Sequence, residues 1–516
     1  MMEKKMNNIN IPAIPKEKFT FVQKEERIHD ERLKTKAVGY FGDAWLRFRS
    51  NKSAVVAFSL IVVLLLFALI VPEISNYTVS FRDGYYKTVL PKNSLFAGAG
   101  FWDGGQQSKQ SEAGYLYLNA IGQESGESAI LKVYDRFVDS TGALFYNLRV
   151  DTYAQVGYTY ANLSAAEYQA LMDYQDEKGL QVMYPLAATQ NKKFVRGNDG
   201  ANFWYKLADE SQGSAGAPIL DENGNYIANY LTSEDPQKAG YTSRMRIAGD
   251  GENGVWYTYA QKNQTGYKVR VNYHAYFLYK NGFEPSFLFG SNQHGQDIFT
   301  CLAVGARLSF LLAITVASIN FIIGAVYGSV EGYYGGAVDM IMERISDILA
   351  DVPFMVVATL FQLHLADKVG VVPSLLFAFV LTGWVGTAAR VRTQFYRFKG
   401  HEYVLAARTL GASDRRLIFK HIFPNSLGTI VTSAVMTIPG VIFSESMLSY
   451  LHIINLDASS LTSIGTMLSN GQGFLSTYPH IIMFPAIFIA ILEISFNLFG
   501  NGLRDALNPS LRGADN

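Results

Sequence analysis

The sequence predicts an α-helical polytopic membrane protein of about six transmembrane helices, with a large, mainly β domain inserted between the first and second. Three observations predict it. Uncharged apolar runs of about 20 residues, the length that crosses a ~30 Å hydrocarbon core as a helix, recur at 53–71 and again beyond residue 307. The stretch between them has no such run, and 23 of the 31 tyrosines lie between Tyr77 and Tyr279. That stretch also repeats turn signals at Asp83-Gly84, Asp199-Gly200, Asn223-Gly224 and Asn281-Gly282.

Residues 1–52 form a polar segment with 12 Lys/Arg against 7 Asp/Glu. Such a leader is unlike a cleaved signal peptide, whose apolar core starts near the N-terminus. Arg47, Arg49 and Lys52 precede the first span, 53–72, and by the positive-inside rule place the N-terminus in the cytoplasm. Residues 73–290 then lie outside. Short β-branched and aromatic runs at 255–259 and 267–276 read as strands, and 164–178 reads as a helix. The remaining domain, 291–516, carries five spans, near 308–330, 352–365, 371–389, 427–450 and 481–499. The loop 390–424 between the fourth and fifth holds 8 Lys/Arg against 2 acids, which marks it as cytoplasmic. The C-terminus returns to the same side.

That loop is the most informative segment. Residues 402–424 read EYVLAARTLGASDRRLIFKHIFP, a helix, a glycine turn and a second helix. Ala406 and Ala407 make a small-residue face that admits another surface closely. Gly411 permits a sharp turn. Leu417, Ile418 and Ile422 fall on one apolar face, flanked by Arg415, Arg416 and Lys420. Pro424 suits the first turn of the next helix. The arrangement fits docking into a groove on a cytoplasmic partner; the plainer alternative is a basic loop touching lipid headgroups.

The segment resembles the EAA motif of binding-protein-dependent ABC importers, with Glu402, Ala406, Ala407, Gly411, His421 and Pro424 at the signature positions. Further segments are similar to the C-type permease subunit of dipeptide and oligopeptide systems: AWLRFRSNKSAVV at 44–56, GSNQHGQD at 290–297, GYYGG at 332–336, TGWVG at 382–386 and GNGLRDALNP at 500–509. The resemblance spans roughly 38–72 and 286–512. It implies a type I importer permease fold and a second, homologous permease as partner. Two ABC ATPase subunits would carry ATP and magnesium, and an extracytoplasmic solute-binding protein would deliver peptide cargo, with nickel complexes as the alternative. This chain would bind no cofactor and catalyse nothing. The sequence departs from the family at Asn292, Gln296, Cys301 and His452, the last standing where glycine is usual, and in the length of its insertion.

Other signals are weaker. Gly249 to Gly254 matches G-x-G-x-x-G, but a strand pattern follows where a nucleotide site needs a helix, so a tight acidic turn is expected. The phosphate-binding pattern G-x-x-x-x-G-K-[ST] is missing from the sequence, so ATP chemistry falls to partners. Glu445, in the fifth span, lines the pathway or is a carboxyl held by neighbouring helices; His364 and Glu493 raise the same question. Asp339, Glu343, Asp347 and Asp351 share a helix face, solvated or in contact with the coupling partner. Cys301 reads as a packing residue. No catalytic triad or metal-ligand cluster stands out. The tyrosines pack a domain core or form a peptide- or glycan-binding surface. Membrane lipid is an expected partner and nucleic acid is not. The rival reading from another class is a membrane-anchored sensor, and a second rival is a tethered external enzyme.

Overall fold

The computed structural model describes residues 40–97, 100–188, 201–202, 206–208, 215–218, 221–240, 246–454, 456 and 461–507. The turn expected at Asp199-Gly200 and the segment 1–39 lie outside them. An amphipathic helix, α1 (Tyr40–Ser50), leads into the first span, α2 (Lys52–Ile74). The Asn51 side chain caps α2 by accepting from the Ala54 backbone N–H at 3.2 Å. Phe48 of α1 then packs edge-on against Phe499, at 5.6 Å between ring centres.

Among its described residues the insertion combines antiparallel strands with helices packed beside them. β1 (Gly105–Ser111) runs into helix α3 (Glu112–Ser125), followed by the hairpin β2 (Ile130–Val138) and β3 (Leu144–Asp151). These strands form an antiparallel sheet in the order β1-β3-β2. A second sheet contains β4 (Tyr158–Leu163), β5 (Met183–Tyr184), β6 (Ala260–Lys262) and β7 (Tyr267–Asn272), with β7 pairing to the other three. Between β4 and β5 lies helix α4 (Ala165–Lys178), where the helix is expected. Ser164 and Glu167 cap it reciprocally in a capping box. The strand expected over 267–276 stops at Asn272. The Asn272 side chain accepts from the Ala275 N–H at 3.1 Å and starts helix α5 (Tyr273–Asn281) instead. Gly249 and Gly251 sit at φ +84° and +81° in a tight turn ahead of strand Trp256–Tyr257, as the turn reading requires.

The insertion has its own core. Arg270 on β7 is fully buried and forms two parallel bonds to Glu124 of α3, at 2.8 and 2.7 Å. Its guanidinium also donates to the carbonyls of Ala201 and Pro185 and lies 4.0 Å over the Tyr158 ring. These contacts offset the desolvation of a buried cation. Tyr77, Tyr86, Tyr153, Tyr273, Phe277 and Phe287 form a further cluster where the two ends of the insertion meet.

The second span, α6 (Ile298–Tyr334), is one continuous apolar helix of 37 residues. Helices α7 (Gly336–Ala350) and α8 (Phe354–Val369) form a pair bent by 70°, and α9 (Val371–Gly383) continues into α10 (Val385–Phe398). The basic segment contains α11 (Glu402–Thr409) and is followed by α12 (Phe423–Val435), α13 (Thr437–Tyr450), α14 (Ile464–Gly471) and the last span, α15 (His480–Leu507). Among the described residues, five helical stretches are long and apolar enough to cross a membrane, or six if the bent pair is one span. One seam sets the helix spacing. A Cβ on Gly324, Gly328 or Gly332 of α6 would lie 2.7, 2.2 or 2.6 Å from atoms of Thr387, Ala388 or Phe395 on α10.

Asp297 caps α6. Its Oδ2 accepts from the Thr300 N–H at 2.9 Å and from the Thr300 hydroxyl at 2.6 Å. Burial pushes its carboxyl up to about 6, against the pull of those bonds.

Two predictions follow from these contacts. Gly328→Val forces α6 and α10 apart; overpacking of this kind costs ~1–3 kcal/mol, so the melting temperature of the solubilised protein falls. Gly440→Ala on α13, with open space around the added Cβ, is the control and leaves it unchanged. The second concerns pH. Folded Asp297 keeps its proton above the pH at which the unfolded chain loses it, so stability drops as pH rises from about 4 to about 6. Asp297→Asn removes that slope, and parallel wild-type and variant melting profiles over this interval would contradict the assignment.

Candidate functional site

The basic loop folds as an ordered lever. His401 stands at the N-cap of α11, and Glu402 occupies the first turn, where the helix dipole favours an acid. The helix ends on Gly411 at φ +81°, a left-handed conformation suited to glycine. The Gly411 N–H donates to the Arg408 carbonyl and the Ala412 N–H to the Ala407 carbonyl, both at 3.0 Å, which is a Schellman closure. After the turn, Asp414–Arg416 leads into a π-helical turn over Leu417–Ile422, and Pro424 sits in the first turn of α12.

The apolar face of this lever points inward. Leu417, Ile418 and Ile422 pack with Val404 against Val391 and Phe395 of α10 and Tyr333 of α6. They therefore face the protein's own helices and leave the other side of the segment exposed. Glu402, Ala406, Arg415, Arg416 and Pro424 are exposed, while Ala407 and His421 are half-buried. Leu410, which the sequence reading did not single out, is 87% exposed at the tip. The signal was available: a leucine directly before a glycine that ends a helix projects beyond the helix packing.

Polar contacts tie the lever to the rods behind it. The Tyr333 hydroxyl at the end of α6 donates to Asp414 Oδ1 at 2.5 Å, and Arg408 approaches the same hydroxyl at 3.4 Å. Lys399 Nζ donates to the Gly332 carbonyl at 2.9 Å. Arg392 of α10 clamps α7: it bonds both oxygens of Asp339 at 2.6 and 2.8 Å and both of Glu343 at 2.8 and 3.1 Å. Tyr396 donates to Asp339 at 2.7 Å. Asp339 and Glu343 thus belong to an intramolecular clamp, while Asp347 and Asp351 of the same run are exposed, as a solvated face requires.

At the other end of α6 lies a cavity of about 820 Å³. The insertion contributes Ser80 and Arg82, the 292–296 turn contributes Asn292 and Gln296, and the helix ends contribute Cys301, His452 and Ser469. All four positions at which the sequence leaves the family pattern, 292, 296, 301 and 452, line this one space. His452 has φ +58°, a backbone conformation ordinary for glycine and uncommon for other residues. Its ring Nε2 lies 3.0 Å from the Ser469 hydroxyl. Among the described residues the lining includes no carboxylate. Glu445 is one turn deeper and buried; it bonds Ser309 at 3.1 Å and Ser449 at 3.0 Å, between α6 and α13, and does not line the cavity. His364 is exposed on α8 and Glu493 half-buried on α15, both away from the cavity.

Comparison with known proteins fits this geometry. The family described as binding-protein-dependent transport system inner membrane component matches residues 320–513, and the N-terminal transmembrane domain of oligopeptide transport permease C matches residues 39–92. The chain is 43% identical over 224 residues to the oligopeptide transport system permease protein OppC of Bacillus subtilis, covering 43% of this chain and 72% of that one. It is 40% identical to the dipeptide transport system permease protein DppC of the same organism, over 43% of this chain and 69% of the other. OppC of Escherichia coli K12 is 34% identical, over 44% and 74%. A crystal form of the inward-facing MetNI methionine ABC transporter overlays at 16% identity with a TM-score of 0.32, over 40% of this chain and 96% of that one, too loosely to carry an argument. On the strength of the curated matches, the chain belongs to the binding-protein-dependent transport inner membrane component family, as a C-type permease subunit of an ABC importer.

Proposed function

We propose that this permease subunit imports peptides and that its 402–424 lever receives the stroke of partner ATPases. The cargo reading is supported by the names of the relatives, which are oligopeptide and dipeptide permeases. The observation that carries the coupling reading is the lever itself: its apolar side is spent on α6 and α10, and its exposed side offers Leu410, Ala406 and two arginines. An element packed this way moves with the rods behind it. A push on Leu410 is transmitted through Tyr333–Asp414 and the buried leucine and isoleucines to α6, and along α6 to the distant cavity. Alternating access of packed helices then exposes the pathway to one side and the other.

In this reading the chain is not an enzyme. ATP and magnesium sit on two ABC ATPase subunits, a second homologous permease completes the pathway, and a solute-binding protein delivers cargo outside. The N- and C-termini lie in the cytoplasm with the lever, and 73–290 lies outside as the roof of the cavity. The cavity is the outer mouth of the pathway, and its unusual residues tune cargo preference.

Two experiments test this. Leu410→Asp places a carboxylate at an exposed tip, so the chain folds but loses ATPase subunits on affinity purification and loses ATP-driven uptake. Retention of both would refute the docking surface. Arg82→Gln combined with His452→Gly changes the cavity wall and leaves the lever intact; KM for oligopeptide uptake rises several-fold with ATP hydrolysis per peptide unchanged. An unchanged KM would remove the cavity from the pathway, and a wild-type complex that moves no di- or oligopeptide would overturn the cargo reading.

A further inference from the structure

The short helical turn Ser94–Ala97 and the residues after it put three large apolar side chains in the open. Leu95 is 84% exposed, Phe101 50% and Phe96 43%. They form one cluster: the Phe96 and Phe101 rings stack at 5.5 Å, and Trp102 lies 6.2 and 6.0 Å from them. The segment 94–102 reads SLFAGAGFW and carries no charge. A contiguous patch of this kind marks a contact surface rather than ordinary water-facing surface.

Its place in the fold indicates what it contacts. The Trp102 indole N–H donates to the Leu288 carbonyl at 2.5 Å, and its ring lies 6.4 Å from Phe484. Phe484 is in the second turn of α15, where that span begins. Phe484 stacks on Phe289 at 4.1 Å, and Phe289 meets Phe299, in the first turn of α6, at 5.0 Å. Phe299 in turn packs at 5.2 Å on Phe67 of α2. A continuous chain of aromatic rings therefore runs from the open patch onto the ends of three spans. Trp102 has φ +53°, disfavoured for a bulky residue; this backbone turns the indole onto Phe484 and leaves Phe101 facing out. At the ends of membrane spans the surrounding medium is the headgroup boundary, where Trp is enriched and where Phe and Leu make up the lipid-buried face of interfacial segments.

We infer that Leu95, Phe96 and Phe101, backed by Trp102, insert into the lipid leaflet on the insertion's own side and anchor the inserted domain to the bilayer. Lipid is the occupant because the patch is uncharged and continuous with the aromatic girdle of the spans; interfacial anchors have this composition. The anchor rests on α2, α6 and α15 being membrane spans and is independent of what the importer carries. It fixes the domain's height over the cavity that the domain roofs.

The test uses the full chain in phosphatidylcholine–phosphatidylglycerol liposomes. Nitroxide labels are placed at Phe96→Cys and Phe101→Cys, with Asp135→Cys on exposed strand β2 as the water-facing reference. Wild-type protein measures any labelling of the buried Cys301. Collision rates are read with oxygen, which concentrates in lipid, and with a water-soluble nickel chelate. The oxygen-to-nickel ratio at 96 and 101 is expected to exceed that at 135 several-fold. Equal ratios at all three sites would overturn the anchor. So would low accessibility to both reagents at 96 and 101, which would mean that protein covers the patch. Leu95→Cys repeats the measurement at the most exposed side chain, where a disturbed fold is least expected.

Discussion

The close approach of α6 and α10 along Gly324, Gly328 and Gly332 is the constraint on which the rest of the permease depends. In lipid there is no hydrophobic force to drive two apolar helices together, so association relies on packing that lipid chains cannot match; small residues allow it by bringing backbones close. Here the glycines bring α6 against Ala388 and Thr387 of α10. That approach in turn places Tyr333 and Phe395 side by side in the cluster that receives Leu417, Ile418 and Ile422. Widening the seam by one methyl group would remove the floor on which the lever rests. The lever's shape therefore depends on three residues at least 70 positions before it in sequence.

The same rod links two chemically different ends. With 37 residues, α6 is about 55 Å long at 1.5 Å per residue. One end is capped by Asp297 beside the cavity, and the other ends at Tyr333 on the lever. The Arg392 clamp adds a second tie, from α10 to Asp339 and Glu343 of α7. Arginine suits this role because its planar fork holds two carboxylates in fixed geometry, which a lysine could not. The end near α7 is thus cross-braced by ion pairs, whereas the cavity end is lined by hydroxyls, amides, histidines and the single arginine Arg82 among apolar side chains.

Much of this was legible in the sequence. Spans are set by length and apolarity, and Asn51, Gly411 and Pro424 perform the capping and turning that their residue types suggest. The helix expected over 164–178 is present, and the structure adds its Ser164–Glu167 capping box. The rest depended on contacts far apart in the chain. Nothing local shows that Leu417, Ile418 and Ile422 face inward, because an amphipathic face is equally suited to a partner or to its own protein. The acids at 339 and 343 look solvated until Arg392, some 50 residues later, is brought beside them. Asn272 could continue a strand or cap a helix, and its bond to the Ala275 N–H decided for the helix.

The insertion shows how more than 200 residues can be added between two spans without disturbing either. Its ends are brought together before the domain begins. The Asp83 N–H donates to the Gly295 carbonyl at 3.2 Å, and the Tyr273 hydroxyl donates to Asp83 at 2.6 Å. Ser291 bridges the Tyr86 carbonyl and the Val89 N–H. A Cβ at position 295 would lie 2.0 Å from the Asp83 carbonyl oxygen, so the second glycine of the 290–297 motif is needed for this close approach. The Ser75 and Thr300 hydroxyls, 2.6 Å apart, pin the end of α2 to the start of α6. With the two ends clamped, the intervening chain can vary without moving the spans, and Ser80 and Arg82, near its start, reach the cavity wall. The departures at 292, 296, 301 and 452 collect in that same space, whereas the lever keeps the family's signature residues. A wall residue there can change without altering the α6–α10 seam, the Arg392 clamp or the 402–424 turn, because none of those residues lines the cavity.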